Sequence, residues 1–179
     1  MNNINIIKFL LSQKANVNLP DTTGTTLPLI EAIRLNNVDI LMLLIAQGTD
    51  LNVLLKKGTT ALTEAVKSQK IDMIKLLITQ GANVNLLDAE GTTALIEAVK
   101  LNNFDIIEFL LTHGADVNLL SKTGTTPLIE AIQSNNIDII KFLMTYSANT
   151  NLSDNMKGNT PLIWATEKCN VAIVDFLLK

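Results

Sequence analysis

The chain is poor in the residues that most enzymes and metal sites depend on. It has one cysteine, Cys169, in 179 residues, so no disulfide can form within it and a cysteine-rich zinc site is excluded. It has one histidine, His113, so a two-histidine metal motif is excluded as well. Charged residues are 17% of the chain, below the roughly 25% of ordinary soluble domains. No apolar run approaches the ~18 residues that a membrane-spanning helix needs. The longest is Ile40–Ala46. The opening residues MNNINIIKFLLSQ lack a basic leader and a small-residue cleavage site, a poor match to a signal peptide. Nor is there a surplus of positive charge. The net charge of −3 argues against nucleic acid as the main partner. What is abundant is apolar: hydrophobic residues are 47% of the chain, enough to exclude wholesale disorder.

These residues recur with a fixed period. A Gly-Thr-Thr or Gly-Asn-Thr triplet begins at Gly24, Gly58, Gly91, Gly124 and Gly158, in steps of 34, 33, 33 and 34. An alanine follows at Ala32, Ala65, Ala98, Ala131 and Ala165. The two longer steps come from an extra Leu27 after Thr26 and from a longer last loop, Ser153–Lys157.

Each unit reads as two helices and a link. Thr126 and Thr160 suit a helix cap, and Pro127 and Pro161 suit the first helical position. Thr60 and Thr93 keep the cap but are followed by alanine. Asn136 caps the second helix, and Asp39, Asp72, Asp105 and Asp138 place a negative charge in its first turn. Gly48, Gly81 and Gly114 end it. Apolar residues at Ile137, Ile139, Ile140, Phe142, Leu143 and Met144 make more than one stripe, so most of this helix is expected to be buried. One unit cannot bury it alone, whereas stacked neighbours can.

The 33-residue period, with G-T-T-P-L-I-E-A (Gly124–Ala131), G-N-T-P-L-I-W-A (Gly158–Ala165), G-A-N-V-N (Gly81–Asn85) and G-A-D-V-N (Gly114–Asn118), resembles the ankyrin repeat. The resemblance covers essentially the whole chain. It implies an all-α solenoid of stacked helix–turn–helix repeats with short projecting β-hairpin loops. Residues 1–179 then form a single repeat domain. It comprises a partial repeat (1–20), full repeats 21–54, 55–87, 88–120 and 121–153, and a truncated repeat (154–179). The histidine that usually follows T-P-L in the family is replaced by Ile30, Thr63, Ile96, Ile129 and Ile163, so stability must lean on apolar packing. Ser147 replaces one closing glycine. The terminal repeats lack an evident polar cap, which suggests a piece of a longer array or ends that meet something else. End-to-end self-association is one such outcome.

Catalysis finds no foothold. His113 stands where other units have Gln47, Gln80 and Tyr146, the pattern of an exposed helix end without triad partners. Cys169 aligns with Asn36, Gln69, Asn102 and Asn135 at the turn between helices, where a reactive thiol is not favoured. No glycine-rich nucleotide loop occurs, and no cofactor or metal site is expected.

What remains is surface. Glu31, Glu64, Glu97 and Glu130 form one column, with Trp164 next in line. Arg34, Lys67, Lys100, Gln133 and Glu167 form a second, one turn on. On their own these columns read as a solvated helix face neutralised by i,i+3 pairs. The resemblance implies instead a concave groove that binds a partner protein. The candidate partner-binding residues are then Glu31, Arg34, Glu64, Lys67, Glu97, Lys100, Glu130, Gln133 and Trp164, with a partner of basic surface. Trp164 suits an aromatic anchor or a cover for the last unit's core. The tips Thr22-Thr23, Lys56-Lys57, Ala89-Glu90, Lys122-Thr123 and Asn155-Met156-Lys157 vary, as recognition loops do. Leu54, Leu87 and Leu120 either pack beneath those tips or form an exposed ridge. The expected function is a protein–protein interaction scaffold without catalysis, nucleic acid or membrane insertion, located in the cytoplasm. The alternative is a targeting or regulatory segment of a larger multidomain protein or of an effector exported into a host cell.

Overall fold

The computed structural model describes residues 4–54 and 58–178. Eleven α-helices and no strand occur among them. The repeat boundary at Leu55 and the tip Lys56-Lys57 lie outside the described residues, as do Met1 and Lys179.

The helices alternate between two kinds. The first helix of each unit has seven residues: α2 (Pro28–Arg34), α4 (Ala61–Lys67), α6 (Ala94–Lys100), α8 (Pro127–Gln133) and α10 (Pro161–Glu167). The second kind comprises α1 (Ile4–Ser12), α3 (Val38–Ala46), α5 (Ile71–Thr79), α7 (Phe104–Thr112), α9 (Ile137–Thr145) and α11 (Val171–Leu177). Helices of two turns do not persist alone in water, so packing must hold them.

Capping follows the sequence. Thr60, Thr93, Thr126 and Thr160 each accept a hydrogen bond from the backbone N–H three residues on. Asn37, Asn103, Asn136 and Asn170 do the same for the second helices. Leu27 and Lys70 are the exceptions: neither side chain caps its helix, α2 or α5, and the inserted Leu27 is buried instead. Between the two helices the chain passes through a left-handed residue at Asn36, Gln69, Asn102, Asn135 and Cys169. Ser147, which stands for the closing glycine, has φ of 63° and so keeps the glycine's conformation.

The chain forms two compact units, Met1–Glu90 and Gly91–Lys179. In the first, α2 packs on α3 and α4, α4 packs on α5, and α1 touches α3. In the second, α6 packs on α7 and α8, α8 on α9 and α10, and α10 on α11. The first helices carry the denser core. Four of seven residues of α2 and five of seven in α4, α6 and α8 are buried. The residues standing for the family's histidine share in this: Ile30, Thr63, Ile96 and Ile129 are all buried, and the Thr63 hydroxyl pairs with Thr60 Oγ1 at 2.9 Å. Ile163 of α10 departs from them and is exposed. The second helices are less buried than their breadth of apolar residues suggests. In α9, Ile139, Ile140 and Leu143 are buried, while Ile137, Phe142 and Met144 are half-buried.

The links turn sharply on few backbone bonds: Asp21 N–H to Thr26 O, Ser121 N–H to Thr125 O and Asp154 N–H to Asn159 O, with Gly24 N–H to Asp21 O and Gly124 N–H to Ser121 O inside two of them. Adjacent turns are joined the same way, Ala89 N–H to Gly58 O in the first unit and Lys122 N–H to Gly91 O in the second. So few bonds make a hairpin-shaped loop without a strand ladder.

Candidate functional site

The two candidate columns lie on the first helices, and each unit organises its share differently. In the first unit, Glu31 Oε1 accepts from Arg34 Nη1 at 3.0 Å and from Thr26 Oγ1 at 3.1 Å. The Arg34 guanidinium also spans to the next helix, with Nε 3.1 Å and Nη2 3.5 Å from the two oxygens of Glu64. This forked contact raises the Arg34 pKa further above its ordinary value, the Glu64 bond being the main cause. Lys67 does not close an i,i+3 pair with Glu64. It turns to Asp88 at 3.6 Å and Glu90 at 3.9 Å, because Glu64 is already matched by the planar fork.

In the second unit, Lys100 Nζ pairs with Glu97 Oε1 at 3.0 Å, as the spacing predicts. Glu130 forms no ion pair among the described residues, since Gln133 stands where α2, α4 and α6 carry a base. Burial pushes the Glu130 carboxyl up; Lys100 draws it down, and Glu97 pushes it up again. The columns are therefore not uniformly solvated. The Glu64 and Glu97 side chains are only 14% and 12% exposed, against 44% for both Arg34 and Lys100. Glu31 is the open one, at 49%.

Trp164 is bound into its own loop. Its Nε1 donates to Asp154 Oδ2 at 2.7 Å, and Lys157 Nζ sits 5.1 Å from the ring centroid. Lys157 also meets Glu167 at 3.8 Å. The Asp154 carboxylate takes the backbone N–H groups of Lys157 and Met156, and these bonds, with that of Trp164, hold its pKa below the usual range. The half-buried indole thus ties α10 to the preceding turn.

The geometry is that of a repeat array, and a family model described as ankyrin repeats (3 copies) matches residues 29–121 and 113–179. The chain belongs to the ankyrin repeat family. No curated protein matches it. Ankyrin repeats are generally protein–protein interaction modules, and the family is typically a non-catalytic scaffold.

The remaining sequence candidates take their places in this ankyrin array. The tips Thr22-Thr23, Ala89-Glu90, Lys122-Thr123 and Asn155-Met156-Lys157 are all exposed. Leu54 is exposed, whereas Leu87 and Leu120 are half-buried, so no uniform leucine ridge forms. The ring of His113 lies against Phe109, with Nδ1 2.8 Å from the Phe109 carbonyl, where it stitches a helix end. Cys169 is exposed. Among the described residues no three His, Cys, Asp or Glu side chains cluster as a metal site, and no helix is long and apolar enough to cross a membrane.

Sequence reasoning missed two sets of residues in this ankyrin array. Asp21, Asp88, Ser121 and Asp154 open their turns, each side-chain oxygen accepting backbone N–H groups two to five residues on. The Asp21 pKa is held down to about 2, first by Thr23 Oγ1 and then by the N–H groups of Thr25 and Thr26. Asn18, Asn52 and Asn118 bridge successive closing loops with both ends of the amide. Their common type at the repeat spacing was the signal.

Proposed function

We propose that this ankyrin repeat chain is a protein–protein interaction scaffold whose first-helix surfaces receive basic side chains of a partner protein. The observation that carries this reading is the pair Glu97 and Glu130, two half-buried carboxylates in reach of one cation, Lys100. A second cation from a partner would meet a carboxylate that burial and a like charge hold in an unfavourable state. On this reading Gln133 leaves the place open, and Lys100 helps orient the incoming group. Glu31 offers a similar, more open carboxylate in the first unit, with Arg34, Glu64 and Lys67 holding its surroundings. Trp164 contributes apolar area at the end of the second unit. The setting is the cytoplasm, where an exposed thiol such as Cys169 stays reduced.

The test is affinity capture from a cell lysate at physiological salt, with the whole chain as bait. A second bait carries Glu97→Gln and Glu130→Gln, which remove both charges with little change of volume. Circular dichroism first establishes that it folds. A protein kept by the first bait and released from the second supports the reading, and equal retention on both sinks it.

A further inference from the structure

The first unit contains an apolar groove of about 300 Å³ beside α1. Leu10 and Leu11 of α1, Ala32 and Leu35 of α2, and Leu44 of α3 line it. Its one charged lining residue is Glu31. No residue of α1 is buried; Ile6, Phe9 and Leu10 are all at least half exposed.

The repeat itself shows what fits such a groove. At the corresponding place one repeat on, between α3 and α4, sits α2. In the second unit α6 sits against α7 and α8, and α8 against α9 and α10. The seated helix is short and amphipathic in every case. In α2 it presents Leu29, Ile30, Ala32 and Ile33, all essentially inaccessible, and then Arg34. Arg34 reaches Glu64 on the helix beside it at 3.1 Å. Glu31 is the counterpart of Glu64 one repeat earlier, and it is 49% exposed where Glu64 is 14%. Arg34 meets both carboxylates, so the difference is the cover that Glu64 receives from α2.

We propose that this groove docks a short amphipathic helix of a partner protein, with the pattern Leu-Ile-x-Ala and then Ile or Val, followed by a basic residue that pairs with Glu31. Apolar lining and a single carboxylate at the rim match that chemistry on both counts. A second copy of the chain is a poor source. Its α2, α4, α6 and α8 keep these apolar side chains in their own core. Its α10 is less covered but ends in Glu167, a like charge for Glu31. The proposal does not rest on the Glu97–Glu130 reading, and the failure of either leaves the other standing.

The probe is a fluorescein-labelled, helix-stapled peptide with the sequence of residues 93–102, TALIEAVKLN, titrated with the whole chain and followed by anisotropy. Saturable one-to-one binding is expected. Leu10→Asp, on an exposed position of α1, abolishes it. Glu31→Lys weakens it about tenfold, and a peptide with glutamate in place of its lysine recovers that loss on the Glu31→Lys chain. Circular dichroism checks both variants for folding. No saturable binding overturns the proposal, and so does binding that neither substitution changes. Sedimentation of the chain alone supplies the remaining arm. A concentration-dependent dimer that Leu10→Asp dissociates would give the groove to a second copy and overturn the partner helix.

Discussion

Asn118 and Asn149 are joined across one repeat by a bond that no helix provides. The Asn118 Oδ1 accepts from the Asn149 N–H at 2.7 Å, while its Nδ2 donates to the Ser147 carbonyl at 3.2 Å. Asn52 does the same to Asn83 N–H and Gly81 O in the first unit. Each amide closes two backbone groups of a loop that has no ladder to satisfy them. With a net worth of about 0.5–1.5 kcal/mol per bond, Asn118→Ala is expected to lose about 1–3 kcal/mol. Asn118→Asp keeps the acceptor but turns the donor into a second acceptor facing a carbonyl, so it falls short of rescue. Urea midpoints at constant slope read both losses.

Helix caps give a second, graded set. Thr93 and Thr126 are buried and each accepts a 3.1 Å bond from the N–H three residues on. Their replacement by alanine should cost about 1–2 kcal/mol each. Leu27 invites the opposite experiment, because α2 lacks a side-chain cap. Leu27→Thr adds at most about 1 kcal/mol of capping. It also removes a side chain that is 2% exposed, at about 1.5–3 kcal/mol. Burial wins, and the variant is expected to be less stable by about 1 kcal/mol in thermal unfolding.

Two glycines of the same motif should behave unequally. Gly124 and Gly158 both have positive φ, 79° and 70°. A Cβ at Gly158 meets nothing within 4 Å, whereas one at Gly124 would lie 2.1 Å from the backbone nitrogen of Asn155. Gly158→Ala therefore carries only the left-handed penalty, about 1–2 kcal/mol. Gly124→Ala adds a backbone displacement, for a total of about 3 kcal/mol or more. Equal losses in chemical denaturation would show that the contact between adjacent turns is dispensable.

The carboxylates set the acid limb of stability. Asp21 has its folded pKa lowered to about 2, below the ordinary aspartate range. A depressed carboxylate stabilises the fold above its unfolded pKa, and that contribution fades as pH falls from about 4 through about 2. Asp21→Asn should flatten the fall in urea midpoint over that window. Glu130 has the opposite sign. Its raised pKa makes the ionised form a cost to folding at neutral pH, relieved as pH falls below the folded value. Glu130→Gln is expected to raise the midpoint at pH 7 and to leave it unchanged at pH 3.

Most of the fold was legible because it depends on short-range chemistry repeated in register. Threonine and asparagine caps act within three residues, a positive φ belongs to one residue, and the period placed every unit alike. The second helices are the lesson in the other direction. Their apolar residues outnumber the burial they obtain, as Phe142 and Met144 show, because a residue type states what can be buried and not which neighbour arrives. The candidate columns divide the same way. Their positions followed from spacing, but the expected Glu64–Lys67 pair gave way to Arg34–Glu64 and Lys67–Asp88.

By itself, then, the sequence determined the repeat, most of its helix starts and stops and its membership of a family of binding modules. Tertiary structure alone decided which carboxylate each long cation reaches. It decided that Glu64 and Glu97 are covered while Glu31 stays open, and that a groove lies beside α1. The physical reason is reach. A cap or a turn is settled by bonds between near neighbours in the chain. The partner of an arginine or lysine side chain is settled by whatever helix packing brings within a few ångströms of its end.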